Sequence, residues 1–198
     1  MPVGSKILSL SVERIEHSKT CFLFLSGGSL DSGKGRYAIW QSELMKIGIS
    51  SVSFDYSGIN RSGSPLAESS LESRIEESVC VSDWMEKNVC AEQYILYGVS
   101  MGGYIALGLV DKKPNFFEKL VLHSPAAYST RAHHLCFGQS FTREIRTKNS
   151  WKNSYSFEWL KAYKRSVLFI EAENDTVVPR RISEKYKSIK ANSDDFRV

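Results

Sequence analysis

Short apolar runs that alternate with helical stretches predict an α/β fold, a mostly parallel sheet with helices on both faces. Three observations carry this. Residues 21–25 form a continuous apolar run closed by Ser26-Gly27-Gly28; residues 71–89 form a long helical stretch; residues 94–97 form a second apolar run that leads into a glycine-rich turn and an apolar helix.

In order along the chain, residues 7–12 alternate apolar and polar and predict a half-exposed strand, followed by the strand at 21–25. A helical pattern spans 37–47, and 51–54 is a strand that ends at Asp55. In the helix over 71–89, the predicted buried face carries Ile75, Val79, Val81, Trp84 and Met85. After the strand at 94–97 a helix runs through Val110, and 120–122 and 167–170 are two more buried strands. Pro179 opens a helix to about Ile189, and 196–198 reads as a strand that has just begun. Residues 127–160 break this rhythm. They are polar and aromatic (Phe137, Phe141, Trp151, Phe157, Trp159) and much longer than an ordinary connection, which predicts an insertion over one end of the sheet. No repeat or linker divides the chain, so residues 1–198 are expected to form a single domain.

Composition narrows the function. Of 198 residues 42% are apolar and 24% charged, the balance of a folded domain rather than a disordered one. The net charge is only +4, with no run of like charges, so neither nucleic acid nor a membrane surface is an expected partner. The first six residues lack the charged start and apolar run of a secretory leader. The four cysteines (Cys21, Cys80, Cys90, Cys136) show no CxxC spacing and no grouping with histidine as a metal site. Free thiols in a reducing cytoplasm are therefore expected, with no metal and no cofactor.

The chemistry concentrates at Gly98-Val99-Ser100-Met101-Gly102, which fits G-x-S-x-G between a strand and a helix. A serine on such a turn sits in strained backbone with its hydroxyl clear of the sheet. The positions two before and two after must be small to avoid collision, and the helix N-terminus points free N–H groups at charge developing near Ser100. A second element, Glu173-Asn174-Asp175-Thr176-Val177-Val178-Pro179, follows the strand at 167–170. An acid there can reach the same rim of the sheet and orient a histidine, and Asp175 is better placed than Glu173, which lies closer to the strand end.

With these segments the chain resembles the α/β-hydrolase family. Gly98, Ser100 and Gly102 resemble its nucleophile elbow, and Asp175 with Val178-Pro179 its acid loop. Leu25-Ser26-Gly27-Gly28 occupies the place of the family's His-Gly oxyanion loop, with Ser26 where histidine is usual. Residues 55–62 resemble the loop after the next strand, with Asn60 replacing a common glycine. The resemblance implies an α/β-hydrolase fold with a short lid at 127–160. It also implies a nucleophile Ser100, an acid Asp175 and an oxyanion hole made by the N–H groups of Gly28 and Met101. The expected reaction is cofactor-free hydrolysis of an ester, thioester or related small acyl substrate. Segments 116–125 and around Trp151 look like those of bacterial members of unassigned substrate.

One departure stands out. The family's histidine follows the acid by roughly 25–35 residues, whereas His17, His123, His133 and His134 all precede Asp175. The expectation is that the final strand, histidine and helix lie beyond Val198, and that residues 1–198 alone are inactive. A catalytically inactive binding relative is the alternative, and a substitute base among His123, His133 and His134 a third reading. A nucleotide-binding reading also arises, because residues 28–35 match G-x-x-x-x-G-K-[ST] in all but the last position. Gly35 stands where a hydroxyl would hold Mg²⁺.

Overall fold

The computed structural model describes residues 1–3, 6–60, 62–191 and 193–198. Among these, seven strands form one sheet: β1 (Ser9–Glu13), β2 (Thr20–Leu25), β3 (Ser50–Asp55), β4 (Gln93–Val99), β5 (Phe117–His123), β6 (Ser166–Ile170) and β7 (Phe196–Arg197). Their order is β1-β3-β2-β4-β5-β6-β7. β1 pairs antiparallel with β3, and every other pairing in this sheet is parallel. Parallel neighbours need crossovers, supplied by helices α1 (Ala38–Lys46), α2 (Leu71–Asn88), α3 (Met101–Lys112) and α7 (Arg180–Lys190). Helices α4 (Thr130–His134), α5 (Gln139–Arg146) and α6 (Tyr155–Ala162) lie between β5 and β6. None of the described helices is long and apolar enough to cross a membrane.

Side chains alternate between the two faces of a strand, and two adjacent rows show how differently those faces are covered. Leu23, Leu96, Leu120 and Val167 are cross-strand neighbours, each at most 2% exposed. They share one core with Ile75, Val81 and Met85 of α2, Ile105 and Leu109 of α3, Leu160 of α6 and Tyr186 of α7. One residue further along, Phe24, Tyr97, Val121 and Leu168 line up on the opposite face, where exposure rises from 2% at Phe24 to 44% at Leu168. Tyr37, just before α1, stacks on Phe24 with centroids 4.7 Å apart, and Leu44 of α1 packs beside them. Helices thus lie on both faces, but cover the second mainly at its β2 side.

The helix predicted over 71–89 starts where its cap demands. Ser70 Oγ accepts the Ser73 N–H at 3.1 Å, and Ser73 Oγ accepts the Ser70 N–H at 2.8 Å. On its inner face Ile75, Val81 and Met85 are buried, while Val79 and Trp84 are only partly so. The stripe instead includes Arg74 and Glu77, at 1% and 3% exposure.

Residues 127–160 pack tightly rather than forming an open flap. Phe141 and Phe157 are buried, as is Leu160. The first half lies over the N-terminal turns of α2 and α3: Phe137 N–H donates to Ser69 O at 2.8 Å, and the Tyr104 and His133 rings meet.

Candidate active site

Strand β4 ends at Val99 and α3 begins at Met101, so Ser100 alone makes the turn. Its backbone has φ 53° and ψ −116°, a conformation that costs a non-glycine residue on the order of 1–3 kcal/mol. Surrounding bonds hold it there. Ser100 N–H donates to His123 O at 3.0 Å, and Ser100 O accepts from Gly103 N at 3.0 Å and Ala126 N at 2.9 Å. The flanking glycines are required by close approach. A Cβ on Gly98 would lie 2.7 Å from the Gly102 carbonyl carbon, and one on Gly102 would lie 2.6 Å from Ser26 O.

That second approach brings the loop after β2 against the elbow. A Cβ on Gly28 would lie 2.7 Å from Met101 Cε, and one on Gly27 would lie 3.6 Å from Ser100 Cβ. Met101 N is the first amide of α3 and has no intrahelical acceptor. Among the described residues, neither it nor the Gly28 amide donates to a protein acceptor. Met101 N–H adjoins Ser100 in the chain, and the Gly28 loop packs against Met101, so both uncommitted amides lie at this corner of the sheet rim.

Asp175 follows β6. Its Oδ1 accepts from Val177 N at 2.8 Å and Val178 N at 2.9 Å, leaving Oδ2 free of the loop's amides. Partial burial pushes its pKa up. The Val178 and Val177 amides, the Ser124 hydroxyl and His123 together outweigh that, so the carboxyl sits below its ordinary value and is ionised at neutral pH. His123 ends β5 and accepts the Ser100 N–H, and Ser124 follows it, so Asp175 and Ser100 share one rim of the sheet. Ser124 has φ 42°, and its Oγ accepts the Ala172 N–H at 3.3 Å, tying the acid loop to β5.

Each histidine has its own partner. Tyr97 OH and His123 Nδ1 are 2.7 Å apart, Tyr104 OH and His133 Nδ1 3.1 Å, and His134 Nδ1 and Glu72 Oε2 3.0 Å. His17 is exposed beside Glu16. Burial, then neighbouring His134, hold the His133 pKa below the ordinary imidazole value. Among the described residues no imidazole hydrogen-bonds to Ser100.

The phosphate-loop match takes a structural role. Lys34 Nζ donates to Asp55 Oδ2 at 2.7 Å and to Ser9 Oγ at 2.8 Å, and Lys34 N–H donates to Asp55 Oδ1 at 2.6 Å. Asp55 is 1% exposed, so this lysine compensates a buried carboxylate. Lys34→Met is expected to lower stability by about 3–5 kcal/mol, because it strands that charge. Urea unfolding measures the loss, and added ATP should protect neither protein.

Two residues near the site escape a motif search. Arg74 lies between the rings of Tyr56 and Phe137, 4.8 and 4.5 Å from their centroids, and its Nη1 donates to Met101 Sδ at 3.2 Å. Glu77 accepts the Ser57 N–H at 3.0 Å and also the Ser57 hydroxyl, fixing the loop after β3. The available signal was position: 71, 74, 75, 77, 78, 81, 82 and 85 make one buried helical stripe. In the same loop Asn60 adopts φ 47°, the left-handed region that asparagine tolerates where the family often has glycine. Arg61 falls outside the described residues.

The sequence profile described as "Serine aminopeptidase, S33" matches residues 16–185. The chain belongs to this family. Solved structures agree with its α/β-hydrolase fold. Est1E from Butyrivibrio proteoclasticus, with ferulic acid bound, superposes with a TM-score of 0.70 at 16% identity, over 94% of this chain and 83% of that one. The monoacylglycerol lipase of Paleococcus ferrophilus gives 0.72 at 16% identity, over 96% and 86%. Mouse alpha/beta hydrolase domain-containing protein 10 gives 0.67 at 20% identity, over 99% and 83%. Among curated proteins no sequence matches this S33 chain.

Proposed function

We propose that this S33-family chain is a serine hydrolase that transfers the acyl group of a small ester or thioester to water. The observation that carries the reading is Ser100, held at φ 53° on the strand-to-helix turn with the loop after β2 packed against it. Ser100 Oγ attacks the carbonyl carbon while its proton passes to an imidazole, and the N–H groups of Gly28 and Met101 receive the oxyanion. The imidazolium then protonates the departing alcohol or thiol, and water attacks the acyl-enzyme by the same route in reverse. Asp175, anionic on the same rim, orients the imidazole. The imidazole is that of a histidine in the family's place after the acid.

Similarity to Est1E, solved with ferulic acid bound, and to a monoacylglycerol lipase favours ester over peptide substrates. Nothing in the chemistry calls for a cofactor, a nucleic acid or a membrane. The free cysteines suit a reducing cytoplasm.

A fluorophosphonate probe tests the reading. A chain extended past Val198 is expected to label at Ser100, with labelling abolished in Ser100→Ala and much slower in residues 1–198 alone. An extended chain that never labels is an inactive binding relative. Rapid Ser100-dependent turnover by residues 1–198 would instead assign the base to His123, His133 or His134.

A further inference from the structure

Away from Ser100, three side chains from two elements converge. Glu72 in the first turn of α2 and the neighbouring His133 and His134 of α4 bring one carboxylate oxygen and one nitrogen of each ring within 4.8 Å of one another. They open onto a cavity of about 240 Å³, which Glu76 and Asp111 also line. Lys112 is the cation among the lining residues, set against three carboxylates.

We propose that Glu72, His133 and His134 bind one first-row transition-metal dication of the Zn²⁺ class. Two imidazoles and a carboxylate are the donor set such ions favour. Bonds of about 2.0–2.1 Å put tetrahedral donors roughly 3.3 Å apart, so the three groups close on an ion by small side-chain rotations. Glu72 and His134 are exposed and free to make them, and their contact is already 3.0 Å. His133 is the fixed member, 8% exposed. Its Nδ1 faces Tyr104 Oη at 3.1 Å. With Nδ1–H donating to that oxygen, Nε2 is left as the ligand atom, the outer partner that metal-bound histidines usually have. The cavity leaves room for Glu76, Asp111 or water in a fourth position. An ion here would pin the start of the 127–160 segment to α2. The site is invisible to a motif scan because Glu72 and His133 stand 61 positions apart in the sequence.

The test is Zn²⁺ titration of the full-length protein by calorimetry, with Co²⁺ absorption as a second readout. One ion per chain is expected. Glu72→Gln and His134→Gln, both at exposed positions, should each weaken binding at least about tenfold, and Tyr104→Phe by roughly 10–100-fold. His17→Gln and Ser100→Ala should leave affinity unchanged, which separates this site from the Ser100 chemistry. No saturable uptake by the wild type overturns the proposal. So does uptake that survives both Glu72→Gln and His134→Gln, or that is lost in His17→Gln.

Discussion

Asp175→Asn in a chain extended past Val198 is expected to lower kcat/KM for a short-chain aryl ester by roughly 10⁴-fold, with folding intact. The carboxylate's place in the mechanism is electrostatic: it holds the imidazole's orientation and stabilises the imidazolium formed when Ser100 gives up its proton. An asparagine keeps a side-chain oxygen that can still accept from Val177 and Val178, so the loop survives while the charge is lost. Combining Asp175→Asn with Ser100→Ala should cost little more than Ser100→Ala alone, since triad members act as a unit. Steady-state kinetics on the two single variants and the double variant measure this. A drop below tenfold in Asp175→Asn would remove Asp175 from the mechanism.

Gly102→Ala is expected to be among the most disruptive single-methyl additions in the chain. Alanine is the better helix former by about 1 kcal/mol, yet here the methyl would press into the Leu25 and Ser26 carbonyls, which are backbone and cannot swing aside. Overpacking of this kind costs typically about 1–3 kcal/mol beyond any propensity gain. The shift also moves the oxyanion loop relative to Ser100, where a displacement of about 1 Å can cost on the order of 100-fold in rate. Gly35→Ala is the control, because its new methyl would meet nothing within 4 Å. Urea denaturation of both variants, compared through midpoints at constant slope, separates a packing collision from a general intolerance of alanine.

The sheet and the elbow were readable from sequence for one reason: both are written in local pattern. Apolar runs such as 21–25 and 94–97 sit at the expected strands, and Gly98 and Gly102 declare a turn that only small residues permit. Boundaries moved by one to three residues where pairing extends an apolar run, as in Phe117–His123 and in Ser50–Asp55, whose serines are buried by neighbouring strands. Long-range partnerships left less trace. Nothing local marks Arg74 as lying between Tyr56 and Phe137 behind Met101, or Glu77 as holding Ser57, since arginine and glutamate on a helix ordinarily face water. Lys34 shows the opposite failure, where a phosphate-loop pattern coincides with a lysine committed to Asp55.

The uneven cover of the sheet gives the two halves of the candidate site different dynamics. Ser100 hangs from β4, which is paired on both sides, with Leu96 fully buried and Tyr97 8% exposed on its two faces. Asp175 hangs from β6, where Leu168 and Ile170 stand 44% and 36% exposed on the thinly covered face. Local opening begins where apolar contacts are fewest, so in residues 1–198 taken alone the amides of the acid loop are expected to exchange before those of β4. The acid loop is then the softer half of the site and the elbow the stiffer one. The strained serine stands in the better-covered frame, and the charge that would orient its base hangs from the barer strand.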